Sequence, residues 1–200
     1  MSPDLQALLV SFAYVGVCVG VGETAARQGA PREFARKFIH VGVGLWIFGA
    51  LALFQHREWA VVPSLTAAVG NWVIHRKRLL KAVEAPAENL GTVWFALSFS
   101  ALVWFAWDRP AVAAGGVLAM AVGDALASLV GRRYGRHPYT TLHGEKKSLE
   151  GSLALCVGTF LAVLVALTFL PGLRNRPPVP LALLATVVAV CAEALGTRGR

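Results

Sequence analysis

A run of 21 residues, Pro110–Val130, reads PAVAAGGVLAMAVGDALASLV and carries one charge, Asp124. By length it spans the hydrocarbon core of a bilayer. In lipid every backbone N–H and C=O must find a partner inside the chain, which makes the helix the expected state. A carboxylate at the centre of such a helix costs about 2.5–3.5 kcal/mol on insertion scales, so Asp124 is a candidate functional residue. The loop that follows, GRRYGRHPYTTLHGEKKSLEGS, is basic and rich in glycine. That combination points to a phosphate-bearing partner.

The rest of the chain repeats the pattern. It is 56% hydrophobic and only 15% charged, with a mean hydropathy of +0.59. A soluble domain carries more charge. The apolar residues form continuous blocks without helical alternation. Seven spans are expected in one all-α, polytopic membrane domain over residues 1–200: Leu5–Gly22, Phe38–Phe54, Trp59–Ile74, Gly91–Trp107, Pro110–Val130, Leu149–Leu170 and Val179–Leu195. The third is the shortest. The first does not read as a signal peptide, since its leader holds Asp4 and no Lys or Arg. Cys18, Cys156 and Cys191 all fall within spans, with no metal-ligand spacing, and read as small apolar residues.

Charge orients the bundle. Of 19 Lys and Arg, only Arg57, Arg109, Arg174 and Arg176 fall on one set of loops. All the others lie on the opposite set, in the loops around Arg27–Lys37, Arg76–Lys81 and Arg132–Lys147 and at the C-terminus. The positive-inside rule places this basic face in the cytoplasm, the N-terminus outside and the C-terminus inside. The asymmetry also accounts for most of the net charge of +8, so no nucleic-acid partner is needed. An inner or plasma membrane location follows.

With this orientation the polar residues of the spans gather toward the cytoplasmic side: Glu23, His40, Asn71, Asn89, Asp124, Glu150 and Glu193. Asp124 lies seven residues before Gly131, roughly 10 Å along the helix. Transporters usually bind substrate near the midplane. A site in the inner leaflet under basic loops suits an enzyme joining a lipid to a water-soluble phosphate compound.

Three clusters carry the candidate chemistry. In ARKFIHVGVG, residues 35–44, Arg36 and His40 are four apart and share a helix face. Arg36 offers a planar fork for phosphate oxygens and Lys37 a point charge. The structural alternative is a basic membrane anchor with His40 hydrogen-bonded in the bundle. In GDALASLVGRRYG, residues 123–135, small residues at Gly123, Ala127 and Gly131 allow a helix or a ligand to approach closely. Asp124 there is a ligand for Mg²⁺, a base for an alcohol, or a helix-pairing charge. In HGEKKSLEGS, residues 143–152, a helix start would aim N–H groups at an anion, with Lys146, Lys147 and Ser148 as added donors. The alternative is a topogenic loop with a lysine–Glu150 ion pair. RKRLLK, residues 76–81, lacks polar company and reads as topology or anionic-lipid contact.

Several chemistries are excluded. The chain has no P-loop, no protein-kinase signature and no HExxH. Its only aspartates are Asp4, Asp108 and Asp124. Aspartate-rich prenyltransferases and CDP-alcohol phosphotransferases need several at close spacing.

ARKFIHVGVGL, ENLGTVWF, GDALASLVGRRYG and KKSLEGSLA, in that order, resemble the membrane family of phytol, farnesol and dolichol kinases. CTP-dependent diacylglycerol kinases and, more distantly, membrane cytidylyltransferases are related to it. The similarity covers residues 32–160. It implies an all-helical membrane enzyme that phosphorylates a lipid alcohol, usually with CTP, and Mg²⁺ on Asp124 and the phosphate oxygens is the expected cofactor. It carries roles onto Arg36, Lys37, Asp124, Gly131, Lys147 and Glu150. The catalytic candidates are thus Asp124, Lys147, Glu150 and His40. The nucleotide candidates are Arg36, Lys37, Gly131, Arg132, Lys146, Ser148 and Gly151, and the metal candidates are Asp124 and Glu150. Relatives commonly continue into an Asp-Asn segment and another hydrophobic stretch, whereas this chain ends at EALGTRGR, as a short or truncated variant would. The C-terminal signature of phosphatidate cytidylyltransferases is absent, which favours the kinase. The alternatives are a cytidylyltransferase making a CDP-lipid and a small proton-coupled transporter using Asp124 and Glu193.

Overall fold

The computed structural model describes residues 1–77, 90–141, 144–172 and 177–195. Asn89 and the end of the RKRLLK run lie outside them. Among the described residues the architecture is all-α apart from one short hairpin. Four of the described helices are long and apolar enough to cross a membrane: Pro3–Arg27, Arg32–Leu53, Pro110–Tyr134 and Leu149–Phe169. Gly91–Phe105 and Pro178–Ala194 are apolar but shorter. The helices pack as two compact units divided at Trp107 and Asp108.

The first unit holds α1 (Pro3–Arg27), α2 (Arg32–Leu53), α3 (Arg57–Ala60), α4 (Val62–Lys77) and α5 (Gly91–Phe105). Ser2 caps α1, accepting from the Leu5 N–H at 3.3 Å, and Gly29, at φ +99°, makes the turn into α2. The expected third span, Trp59–Ile74, is divided between α3 and α4. Pro63 explains the break: it has no N–H to give the carbonyl four residues back, at Trp59. A polar latch closes the opposite end of the α1–α2 pair. Asp4, 4% exposed, accepts from the Gln55 N–H at 2.8 Å and meets His56 Nδ1 at 2.7 Å. That hydrogen bond favours the imidazolium and raises the His56 pKa above its ordinary value.

In the second unit, α6 (Pro110–Leu118), a π-helical turn (Ala119–Gly123) and α7 (Asp124–Tyr134) form one continuous segment. A hairpin of β1 (Pro138–Thr140) and β2 (Lys146–Ser148) leads into α8 (Leu149–Phe169), and α9 (Pro178–Ala194) follows. Tyr139 stands opposite Lys147 in the antiparallel register. Gly144 takes the left-handed conformation, φ +85°, that its turn requires. Along α8, Leu153, Val157, Leu161 and Val165 are all exposed at intervals of four. The buried Leu155, Gly158, Thr159 and Ala166 occupy the other side. An exposed aliphatic stripe on so apolar a helix is the surface that lipid covers.

The charge asymmetry makes the orientation testable in a variant whose native cysteines are replaced by Ala. A Cys at Gln55 should react with an impermeant thiol reagent added to intact cells. A Cys at Thr140, in the hairpin, should react only after permeabilisation. The reverse pattern would invert the expected topology.

Candidate functional site

The α7–α8 crossing explains the small residues around Asp124. A Cβ on Gly123 would collide with Thr159 Oγ1 and stand 3.4 Å from Leu155. A Cβ on Gly151 would lie 2.9 Å from the Ala127 carbonyl oxygen and 3.2 Å from Gly131 Cα. One on Gly131 would sit 3.1 Å from Ser148 Oγ. The Gly123–Ala127–Gly131 repeat is therefore a helix-packing seam, as small-residue spacing in membranes provides. Gly151→Ala forces a methyl against backbone that cannot swing away. It should lower stability by about 1–3 kcal/mol, read as a lower melting temperature of the detergent-purified protein, whereas Gly20→Ala, with open space at its Cβ, should not.

Asp124 opens α7 directly after the π-helical turn. Such turns are rare and concentrate at functional sites, because the extra residue re-aims the side chains that follow. Asp124 is exposed on this unit, although it lies within an apolar segment. Thr159, buried against the turn, leaves its hydroxyl without a partner among the described residues.

At the other end of α7 the KKSLEGS cluster is wired internally. Ser148 caps α8, accepting from the Gly151 N–H at 3.2 Å. Glu150 does not pair with Lys146. Its carboxylate meets His137 Nδ1 at 2.7 Å, which ties the α8 start to the residue just before β1. Lys147 reaches α9: its Nζ is 3.3 Å from Glu193 Oε1 and donates to the Glu193 carbonyl at 3.4 Å. The second carboxylate oxygen of Glu193 is buried without a partner among the described residues. Lys146 and Arg132 are exposed. Glu193, read from the sequence as a polar span end and as a relay residue of the transporter alternative, is thus the residue that positions Lys147. A pair 46 residues apart leaves no signal in local spacing.

No group of three His, Cys, Asp or Glu forms a metal cage among the described residues. Asp124 and Glu150 are not neighbours. Gly151 packs at the level of Gly131, two turns of α7 beyond Asp124, and Glu150 is committed to His137. An ion shared by both carboxylates does not fit. Asp124 alone does, because Mg²⁺ needs only one or two protein carboxylates when phosphate oxygens and waters complete its shell.

In the first unit, Arg36 and His40 line one apolar cavity of about 90 Å³, as their shared helix face requires. Arg36 binds both Glu33 oxygens through Nη2 at 2.8 Å. The His40 ring lies 3.9 Å from that of Phe95, centroid to centroid. Asn71 donates to the Thr92 carbonyl at 3.2 Å on the facing helices. Lys37, one residue from Arg36, is buried instead, at 6% exposure.

Long apolar helices with exposed aliphatic stripes define an integral membrane protein. Over 163 residues, 80% of its length, the chain is 35% identical to a phytol kinase of Synechocystis sp. and covers 70% of that protein. It is 27% identical to the chloroplastic farnesol kinase of Arabidopsis thaliana, over 72% of this chain and 51% of that one. A 54-residue segment is 44% identical to the dolichol kinase of Saccharomyces cerevisiae, over 27% of this chain and 10% of that protein. No family model matches, and no solved structure matches. The chain belongs to the family of phytol, farnesol and dolichol kinases, phosphotransferases with an alcohol acceptor.

Proposed function

We propose that this protein transfers the γ-phosphoryl group of CTP to the hydroxyl of a long-chain lipid alcohol of the polyprenol, phytol, dolichol or diacylglycerol type, at the cytoplasmic leaflet. The observation that carries the reading is the likeness to a phytol kinase across four-fifths of the chain. Asp124, an aspartate in the interior of an apolar span, supports it.

The alcohol oxygen bonds to the γ-phosphorus as the bridge to CDP breaks, and the hydroxyl proton leaves to a base. Catalysis of this kind is mostly positioning and charge stabilisation. Asp124 is the carboxylate for Mg²⁺ or for orienting the hydroxyl. When bound, the ion neutralises charge on the transferring group. Lys146 and Arg132 are exposed donors for phosphate oxygens. Lys147 is held in place by Glu193 for the same use. Arg36 offers its fork to phosphate and His40 is a second base. Gly131, Ser148 and Gly151 act by holding α7 and α8 in register, so that the lysines sit at the start of α8.

Incubation with CTP labelled at the α- or γ-phosphate, and with a panel of lipid alcohols, tests the reading. Label from the γ-position alone should enter the lipid. Lipid label from the α-position would mean a CDP-lipid product instead. Arg36→Lys keeps the charge but loses the planar fork. It should raise the Michaelis constant for CTP about tenfold, roughly 1.4 kcal/mol, while Arg32→Lys, at an exposed position, should change it less than twofold. Equal small effects would return Arg36 to the topological belt.

A further inference from the structure

We infer that Glu193 is the base that takes the hydroxyl proton of the lipid alcohol. The inference rests on the lipid-kinase reading and divides the work of that site: Glu193 receives the proton, and Asp124 is left for the ion.

Glu193 is the single charged residue of α9, next to the last in a helix of 17 residues. Its side chain is 13% exposed and that of Lys147 is 26% exposed. One carboxylate oxygen, Oε1, faces Lys147 Nζ at 3.3 Å. The other, Oε2, is buried and meets no donor among the described residues. Buried polar atoms are nearly always hydrogen-bonded. A carboxylate kept only to pair two helices would have both oxygens satisfied, because an unmade bond to a buried charge costs stability. An oxygen with uncommitted lone pairs is instead what a proton acceptor needs. The pair is partly exposed, and the terminal torsion of Glu is soft and two-fold, so a small turn presents either oxygen to the open side.

Lys147 sets that carboxylate beside the phosphate. An ammonium has three protons to donate. One is directed to Oε1 and a second to the Glu193 carbonyl, at 3.4 Å. The third serves a phosphate oxygen, at about 2.8 Å for a charge-assisted bond. The carboxylate and the γ-phosphoryl group then share one ammonium. An alcohol oxygen between them donates to the carboxylate while it faces phosphorus. Along α9, Leu183 and Val187 are exposed one turn apart, with Leu184 and Val188 beside them. An apolar chain lying on this face brings its hydroxyl to the helix end that carries Glu193. In the step itself the alcohol oxygen bonds to the γ-phosphorus, and the bridging bond breaks with its electron pair leaving on CDP. The hydroxyl proton passes to Glu193, which loses it to water as the products leave.

The test uses Glu193→Gln, whose amide oxygen still accepts from Lys147 but takes no proton. The acceptor is whichever of phytol, a polyprenol and dolichol the unaltered protein phosphorylates. With it, kcat should fall at least a hundredfold, while KM for CTP stays within threefold. With the same alcohol fluorinated at carbon 2, the hydroxyl is more acidic and needs a base less, so the loss should be under tenfold. An unchanged kcat overturns the inference. So do equal losses with both acceptors, or a loss that lies in KM for CTP, since both are what Glu193 acting only through Lys147 would give. Because the variant can fail to fold, a second measurement uses the unaltered protein and 1,2-epoxyoctadecane. A carboxylate that faces the oxygen-bearing end of the chain opens the ring and is left as a hydroxyalkyl ester. Peptide mass spectrometry should find that ester on Glu193, and excess octadecanol should suppress it. An ester only on other carboxylates, none at all, or one that octadecanol leaves unchanged overturns the inference. A competed Glu193 ester in a protein that phosphorylates no alcohol would end the kinase reading and keep Glu193 facing the alcohol oxygen. Lipid phosphate formed at full rate by Glu193→Gln would do the opposite.

Discussion

Asp124→Asn should lower the turnover of lipid phosphorylation at least a hundredfold, about 2.7 kcal/mol of transition-state stabilisation, and leave the protein folded. The two halves have separate causes. The amide keeps the shape of the carboxylate but can neither bind a hard cation as an anion does nor take a proton. The packing seam with α8 is made by the small residues Gly123, Ala127 and Gly131. Removing a charge from an apolar segment lowers the insertion cost, so expression should hold or rise. Turnover and a melting curve on the same purified sample give both numbers. Near-normal turnover in a folded Asp124→Asn protein would reduce the residue to a helix-pairing charge.

CTP should support phosphorylation at least tenfold better than ATP, roughly 1.4 kcal/mol in transition-state binding, and excess chelator should abolish the reaction. With no P-loop, the proposed triphosphate site is built from basic side chains and helix ends, with Lys146 and Lys147 in the hairpin and Arg132 near the end of α7 as its candidates. Such groups do not distinguish the base, so the preference for cytosine is the expectation the family resemblance adds. Initial rates at limiting nucleotide, with and without chelator, separate the two claims. Equal rates with ATP would remove the CTP preference and keep a lipid kinase. Full activity in chelator would remove the metal from Asp124.

What the sequence disclosed follows from the range of each interaction. Apolar length alone located Pro110–Val130 and Leu149–Leu170, because a bilayer imposes it residue by residue. The spacing of Gly123, Ala127 and Gly131 left open whether a helix or a ligand came close. The structure answers with α8, through Gly151, Leu155 and Thr159. The shared face of Arg36 and His40 was legible from a separation of four, and both line one cavity. The hairpin was not legible, since strands of three residues have no period to read and depend on pairing across a turn. The same hairpin brings His137 to Glu150 and so displaces the local lysine–Glu150 pair. The Lys147–Glu193 pair likewise joins residues that only the α8–α9 packing brings together.

The central claim is that the chain makes a lipid phosphate monoester. The most direct measurement is the mass of the lipid product when the purified protein, reconstituted in vesicles, is given phytol, a polyprenol, dolichol and diacylglycerol in turn, with CTP and Mg²⁺. The monophosphate of at least one alcohol should accumulate together with CDP in equal amounts, and at least a hundredfold more slowly with Asp124→Asn. A CDP-lipid with release of pyrophosphate, or every alcohol and CTP unchanged, would contradict the account.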